Sequence, residues 1–161
     1  MEIPQGISVR VDGYKITAKG PQGEVHKMFP KGSKVQVNGN RIEIETPNKA
    51  LYGTLESILK SMLKGVSSGY SRNLKLLYAH FPITIEVKGS DVAVKNFLGE
   101  KQPRKTVLIG STKVLAKGQS VTVSGPDKEA VGQTIANLRT AMRIKDKDGR
   151  VFQDGIYEVE G

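Results

Sequence analysis

The chain has 161 residues, 25 basic and 16 acidic side chains, a net charge of +9 and no cysteine. Without thiols there are no disulfides, thiolate nucleophiles or thiolate metal sites, which suits a reducing cytosol. No apolar run approaches a membrane span and Met1-Glu-Ile-Pro is no signal peptide, so a soluble intracellular protein is expected. The basic balance favours a nucleic acid, an acidic protein or an anionic surface as partner.

Residues 7–11 and 14–18 alternate as strands joined by Asp12-Gly13, a strong hairpin signal. Gly20-Pro-Gln-Gly23 makes the next turn, and residues 24–28 form a third strand. Residues 34–37 and 41–44 form a hairpin around Asn38-Gly39-Asn40. Thr46-Pro47 opens a helix with Leu51, Leu55, Ile58, Leu59 and Met62 on its buried side, ending near Lys64-Gly65. Residues 74–80 read as the closing strand of a first domain, and Phe81-Pro82 as its boundary, because proline biases the preceding residue toward extended backbone.

The order then repeats, with strands at 83–88, 92–96, 106–109, 113–116 and 120–124. A helix follows over 124–143: Ser124 and Gly125 supply the cap and Pro126 a first-turn position. Val131, Ile135, Leu138 and Met142 give it one apolar stripe. A polar loop over 145–150 and a last strand over 155–159 close the chain.

An offset of 79 carries Gly39 to Gly118, Ile42 to Val121, Pro47 to Pro126, Gly53 to Gly132 and Leu59 to Leu138. Earlier in each copy an offset of 69 lays Ile16-Thr-Ala-Lys-Gly20 on Ile85-Glu-Val-Lys-Gly89, which implies a ten-residue insertion between Asn96 and Thr112. We read an internal duplication: an α+β chain of two tandem copies, residues 1–81 and 82–161, each a mostly antiparallel sheet arrangement packed around one helix. A helical glycine costs about 1 kcal/mol against alanine, so Gly53 and Gly132 are expected where each helix crosses its sheet closely.

Few motifs carry chemistry. Gly20-x-x-Gly23 has the spacing of a backbone-clamping RNA-binding loop, but strand-like flanks make it a hairpin turn. No phosphate-binding Gly-Lys-Ser/Thr and no nucleophile elbow occurs. His26 and His80 have no patterned partner for zinc or acid–base work. The informative place is the insertion, where Lys95, Lys101, Arg104 and Lys105 surround one acid, Glu100, and one aromatic, Phe97. Such side chains neutralise phosphates, and long decorated loops are where binding tends to reside. Lys113, Lys117, Arg139, Arg143, Lys145 and Arg150 extend a basic face.

Residues 1–81 carry 12 basic and 6 acidic groups, a net of +6, against 13 and 10, a net of +3, for residues 82–161. Residues 95–117 alone hold six basic groups and one acid, a net of +5. Beyond a Debye length of roughly 8 Å average charge is screened, so local density points to the second copy as the RNA-binding one.

Leu76-Leu-Tyr-Ala-His-Phe-Pro82, Asn96-Phe-Leu-Gly-Glu-Lys101, Gly125-Pro to Gln133 and Arg150-Val-Phe-Gln-Asp-Gly-Ile-Tyr157 together resemble one family over nearly the whole chain. It is the sixth protein of the large ribosomal subunit, in its archaeal and eukaryotic branch. The resemblance implies a non-catalytic constituent of the cytoplasmic ribosome whose C-terminal copy binds large-subunit ribosomal RNA. It also implies a place near the sarcin–ricin loop and the stalk base, beside neighbouring large-subunit proteins. No cofactor, metal, membrane or small-molecule substrate is expected. Carried over by motif, the RNA-facing positions are Asn96, Leu98, Gly99, Lys101 and Arg104, then Gly125, Gln133 and Arg139, and finally Lys145 and Asp154; Lys105 and Lys117 join them from the basic loop and face. The Pro-Tyr-Lys-Gly-Lys-Gly run of bacterial members is absent after the helix. The same basic loop would serve a free-standing RNA-binding regulator, and an enzyme would need His26 or His80 as its base.

Overall fold

The computed structural model describes residues 2–78, 81–145, 147–148 and 150–159. It is α+β, with two helices and antiparallel sheets. The chain divides into two compact units, Met1–Tyr70 with Gly125–Lys128, and Ser71–Ser124 with Glu129–Gly161. Among the described residues no helix is long and apolar enough to cross a membrane.

In the first unit β1 (Ser8–Asp12), β2 (Lys15–Gly20) and β3 (Gly23–Met28) form an antiparallel meander. Gly13 turns the first hairpin at φ 62°, a left-handed conformation that glycine adopts without steric cost. Gly20 and Gly23 close the second turn as the expected hairpin pair. β4 (Lys34–Asn38) and β5 (Arg41–Glu45) form a two-stranded sheet. The helix α1 (Lys49–Ser68) begins two residues after Pro47, where the Asn48 side chain accepts the Ala50 N–H at 2.9 Å. Leu55, Leu59, Met62, Leu63 and Val66 of α1 share one core with Ile7, Ile16, Ala18, Val25, Phe29 and Ile42.

The helix does not stop at Gly65. It runs to Ser68, with Gly69 at φ 78° after it. Gly65 is a buried interior residue on which a Cβ would collide with the Pro126 carbonyl, so its small size serves packing. Gly53 and Gly132 show the reverse: nothing lies within 4 Å of a Cβ built on either, and the expected close crossing is absent.

The second unit repeats the meander with β7 (Thr84–Lys88), β8 (Asp91–Lys95) and β9 (Arg104–Val107). The hairpin β10 (Lys113–Lys117) and β11 (Ser120–Gly125), the helix α2 (Lys128–Ala141) and β12 (Gly155–Glu158) follow. Val131, Ile135, Leu138 and Met142 are buried, as their spacing predicts.

Two further expectations change. The strand β6 (Tyr70–Leu77) was expected to close the first domain. Instead it lies inside the second unit's four-stranded sheet, in the order β10-β11-β6-β12, pairing with β12 through Leu76↔Ile156 and Leu74↔Glu158. Leu74 and Leu76 are each only 1% exposed there. Alternation marks a half-buried strand but carries no information about which sheet receives it.

The insertion between copies is also smaller than expected. Val11↔Ile16 and Asp12↔Lys15 in the first meander correspond to Val87↔Val92 and Lys88↔Asp91 in the second, a shift of 76. Lys15↔Met28 corresponds to Asp91↔Val107, which places β3 and β9 79 apart. The difference, 79 − 76 = 3, is the true insertion, between Asn96 and Arg104. The offset of 69 slides β2 onto β7, the neighbouring strand of its meander, because both alternate and both run into a glycine turn.

Candidate nucleic-acid interface

The loop joining β8 to β9 is built from an unusual run of backbone. Asn96 (φ 60°) and Leu98 (φ 54°) are the only described non-glycine residues at positive φ, and Gly99 follows at φ 73°. Leucine gains no local hydrogen bond there, so the surroundings must hold it, and strain of this kind tends to collect at functional segments. Several contacts do the holding. The Phe97 ring is buried, the Asn96 Nδ2 donates to the Pro82 carbonyl at 3.1 Å, and Glu100 N–H donates to the Phe97 carbonyl at 3.0 Å. The Phe81 ring lies 3.1–3.3 Å from where a Gly99 Cβ would sit, so a side chain there would have to push the ring aside.

Arg104 fastens the loop. Its Nε and Nη2 donate to the two Glu100 carboxylate oxygens at 2.9 and 2.7 Å. Its Nη1 donates to the carbonyls of Ala141 and Arg143, at 3.0 and 2.7 Å, at the C-terminal end of α2. The guanidinium carbon stands 4.4 Å from the Phe97 ring centroid. Four of the five N–H donors of this guanidinium are therefore engaged inside the protein. The Arg104 hydrogen bonds hold the Glu100 carboxyl below its ordinary value, and Glu100 in turn raises that of Arg104. In the first copy the corresponding position, 79 residues earlier, is the buried Val25; a core valine there becomes a strut here.

Beyond the strut, the C-terminal half of α2 and the 152–157 segment enclose an open cleft of about 460 Å³. Ala136, Arg139, Thr140 and Arg143 line the helix side, and Phe152, Asp154 and Tyr157 the other. Neither arginine has an ion-pair partner among the described residues. The cationic end of Lys147 sits 4.8 Å from the Phe152 ring centroid. The cleft thus presents two guanidiniums without an ion pair among the described residues, beside an aromatic edge and the Asp154 carboxylate, an arrangement suited to phosphates and exposed bases.

The expected site residues fall into groups. Asn96, Leu98, Gly99 and Lys101 share the loop that Arg104 ties to the end of α2; Arg139 and Asp154 line the cleft, and exposed Lys145 follows it in the chain. Gln133 lies six residues before Arg139, about 9 Å along the helix, where it donates to Asn137 Oδ1 at 3.0 Å. Lys105 faces a different surface with Glu86, Lys88 and Lys95. Lys117 stands exposed on β10 and Gly125 belongs to the first unit. Glu100 is Arg104's partner, and only its four-residue spacing from Arg104 marks this in the sequence. Thr140 and Tyr157 gave no signal, since only folding brings residues 136–143 beside 152–157. His26 is exposed on β3, and His80 lies outside the described residues.

Comparison with known proteins adds an independent line. The sequence model described as "Ribosomal protein L6" matches residues 3–69 and again 81–155. The two matches leave residues 70–80, which include the whole of β6, between them. Proteins named "Large ribosomal subunit protein uL6" are similar along most of their length. That of Methanocella arvoryzae is 44% identical over 98% of this chain and 93% of its own. That of Methanobrevibacter smithii is 43% identical over 99% and 93%, and that of Sulfurisphaera tokodaii 42% over 98% and 88%.

Proposed function

The chain belongs to the ribosomal protein L6 family, structural and non-enzymatic constituents of the large subunit, and from that premise we propose that its second copy holds large-subunit ribosomal RNA. The observation that carries this reading is the cleft beside α2, where Arg139 and Arg143 have no ion-pair partner among the described residues and stand next to a loop that the Arg104 strut has already fixed. Unpaired arginines give phosphates bidentate donors, and a preformed loop loses little entropy on binding. Arg104 acts through the loop, while Lys101, Lys105, Lys117 and Lys145 supply charge that is exposed to solvent.

In this reading the RNA lies near the sarcin–ricin loop and the stalk base, with neighbouring subunit proteins alongside, in the cytoplasm. The body that binds includes β6 as well as residues 82–161. The test uses the full chain and an rRNA fragment carrying the sarcin–ricin loop, against a scrambled sequence at physiological salt. Replacing Arg139 and Arg143 by glutamine should weaken cognate binding and reduce the magnitude of the salt slope by about 1.4–1.8, at 0.7–0.9 per lost phosphate contact. Unchanged affinity and slope would refute it.

A further inference from the structure

The four-stranded sheet of the second unit has one buried face and one bare face. Leu74, Leu76, Val121, Val123 and Ile156 point to the buried side. The strand registers place the alternate residues opposite. Lys117 pairs with Ser120 across β10 and β11, and Lys75 pairs with Tyr157 across β6 and β12. The Leu76 N–H donates to the Gln119 carbonyl at 2.7 Å and Thr122 Oγ1 meets Asn73 Oδ1 at 3.4 Å, so Ser120 stands beside Lys75. Lys117, Ser120, Lys75 and Tyr157 therefore form one row across all four strands. Leu115, Thr122 and Asn73 form the next row, and Lys113 with Ser124 the one after.

This face is open and positively charged. Lys75, Lys113 and Lys117 are exposed, as are Leu115 at 59% and Tyr157 at 43%. None of the three lysines has an ion-pair partner among the described residues, and no carboxylate occupies these rows. Elsewhere in the same unit lysines are compensated: Lys88 and Lys95 both pair with Glu86. Strand spacing puts Lys75 and Lys117 about 10 Å apart, and the rise along β10 puts Lys113 and Lys117 about 14 Å apart. Three uncompensated charges on a rigid sheet, flanked by hydroxyls, an amide and an aromatic ring, suit a phosphodiester backbone with partly exposed bases.

We propose that this bare sheet face is a second RNA-contacting surface, sharing only Tyr157 with the cleft beside α2, that grips ribosomal RNA through Lys75, Lys113 and Lys117. The inference rests on the reading that this part of the chain binds rRNA, and adds a face that the motif-derived residues do not include. Lys75 comes from the strand between the two family matches and joins the surface only because β6 lies beside β11.

The experiment compares three full-length variants by filter binding to protein-free large-subunit rRNA of Methanocella arvoryzae, between 50 and 200 mM salt. One carries Lys75→Gln, Lys113→Gln and Lys117→Gln. A control carries Lys34→Gln, Lys49→Gln and Lys60→Gln, the same charge change at exposed lysines of the first unit. A third carries Arg139→Gln and Arg143→Gln. Three lost phosphate contacts reduce the slope magnitude by about 2.1–2.7, so over this fourfold salt range the sheet variant should lose about 20–40-fold less affinity than the unaltered chain. The control should track the unaltered chain. Equal slope changes in sheet variant and control would overturn the proposal, since total charge would then be the cause. An unchanged sheet variant beside a weakened arginine variant would overturn the sheet face and leave the cleft standing. If no variant altered the slope, the rRNA reading itself would fall. Should the sheet variant keep its rRNA affinity but lose a protein of the large subunit in reconstitution, the face would be a protein contact and the proposal wrong. Circular dichroism melts of all three confirm that each is folded.

Discussion

If β6 is an integral strand of the second unit, where a fragment starts decides whether that unit folds. Consider residues 71–161 against residues 82–161. Both lack the first unit, and both therefore lose whatever Gly125–Lys128 gains from it. They differ in β6, which carries Leu74 and Leu76, each 1% exposed, and which alone pairs with β12. Burying a leucine side chain contributes about 1.5–3 kcal/mol, so these two are worth about 3–6 kcal/mol before any hydrogen bond is counted. Folded domains are stable by only about 5–15 kcal/mol, and one of this size falls at the lower end. Without β6 the edge of β11 is open and β12 has no neighbour in the sheet. We expect residues 71–161 to melt cooperatively by circular dichroism. Residues 82–161 should show either no cooperative transition or a midpoint at least about 12 °C lower, taking about 4 °C per kcal/mol for a domain of this size. Coincident midpoints would refute the placement of β6. The same comparison guards the RNA experiments: a failure of residues 82–161 to bind would report a broken sheet before it reported a missing contact.

Other outcomes follow from single side chains. Replacing Arg104 by alanine removes four hydrogen bonds from a partly buried group, and we expect a loss of about 2–3 kcal/mol in urea denaturation with little change in the salt slope of RNA binding; an unchanged stability with a slope smaller by about one would assign Arg104 to a phosphate. Because the Arg104 hydrogen bonds lower the Glu100 pKa in the folded state, their contribution is complete above the ordinary value of 4.5 and is lost as pH falls through the lowered one. Glu100→Gln should therefore flatten the acid limb of a stability profile, and an identical limb would count against the strut. Gly53→Ala and Gly132→Ala should each stabilise the chain by about 0.5–1 kcal/mol, because open space surrounds both positions, whereas Gly65→Ala should destabilise it. Thermal melts that reverse this order would contradict the packing described.

Sequence alone determined the elements and their kinds. Alternation located the strands, proline and an apolar stripe located α2, and glycine turns marked the hairpins, because each signal arises among residues within a few positions of one another. It also determined the duplication and the basic loop, since an identical shift of 79 and a local charge of +5 can be read without folding the chain. The tertiary structure decided the rest. Strand β6 had the same alternation whichever sheet received it, and only pairing with β12, some 80 residues away, placed it. The offset of 69 looked sound because neighbouring strands of one meander share a period; hydrogen-bond register was needed to separate them. Gly53 and Gly65 look alike in a helix, and the carbonyl of Pro126 distinguishes them. Arg104 read as one more cation in a basic loop. Its donors turn inward because folding brings the carbonyls of Ala141 and Arg143 within 3.0 Å, and a contact across 37 residues leaves no local trace in sequence.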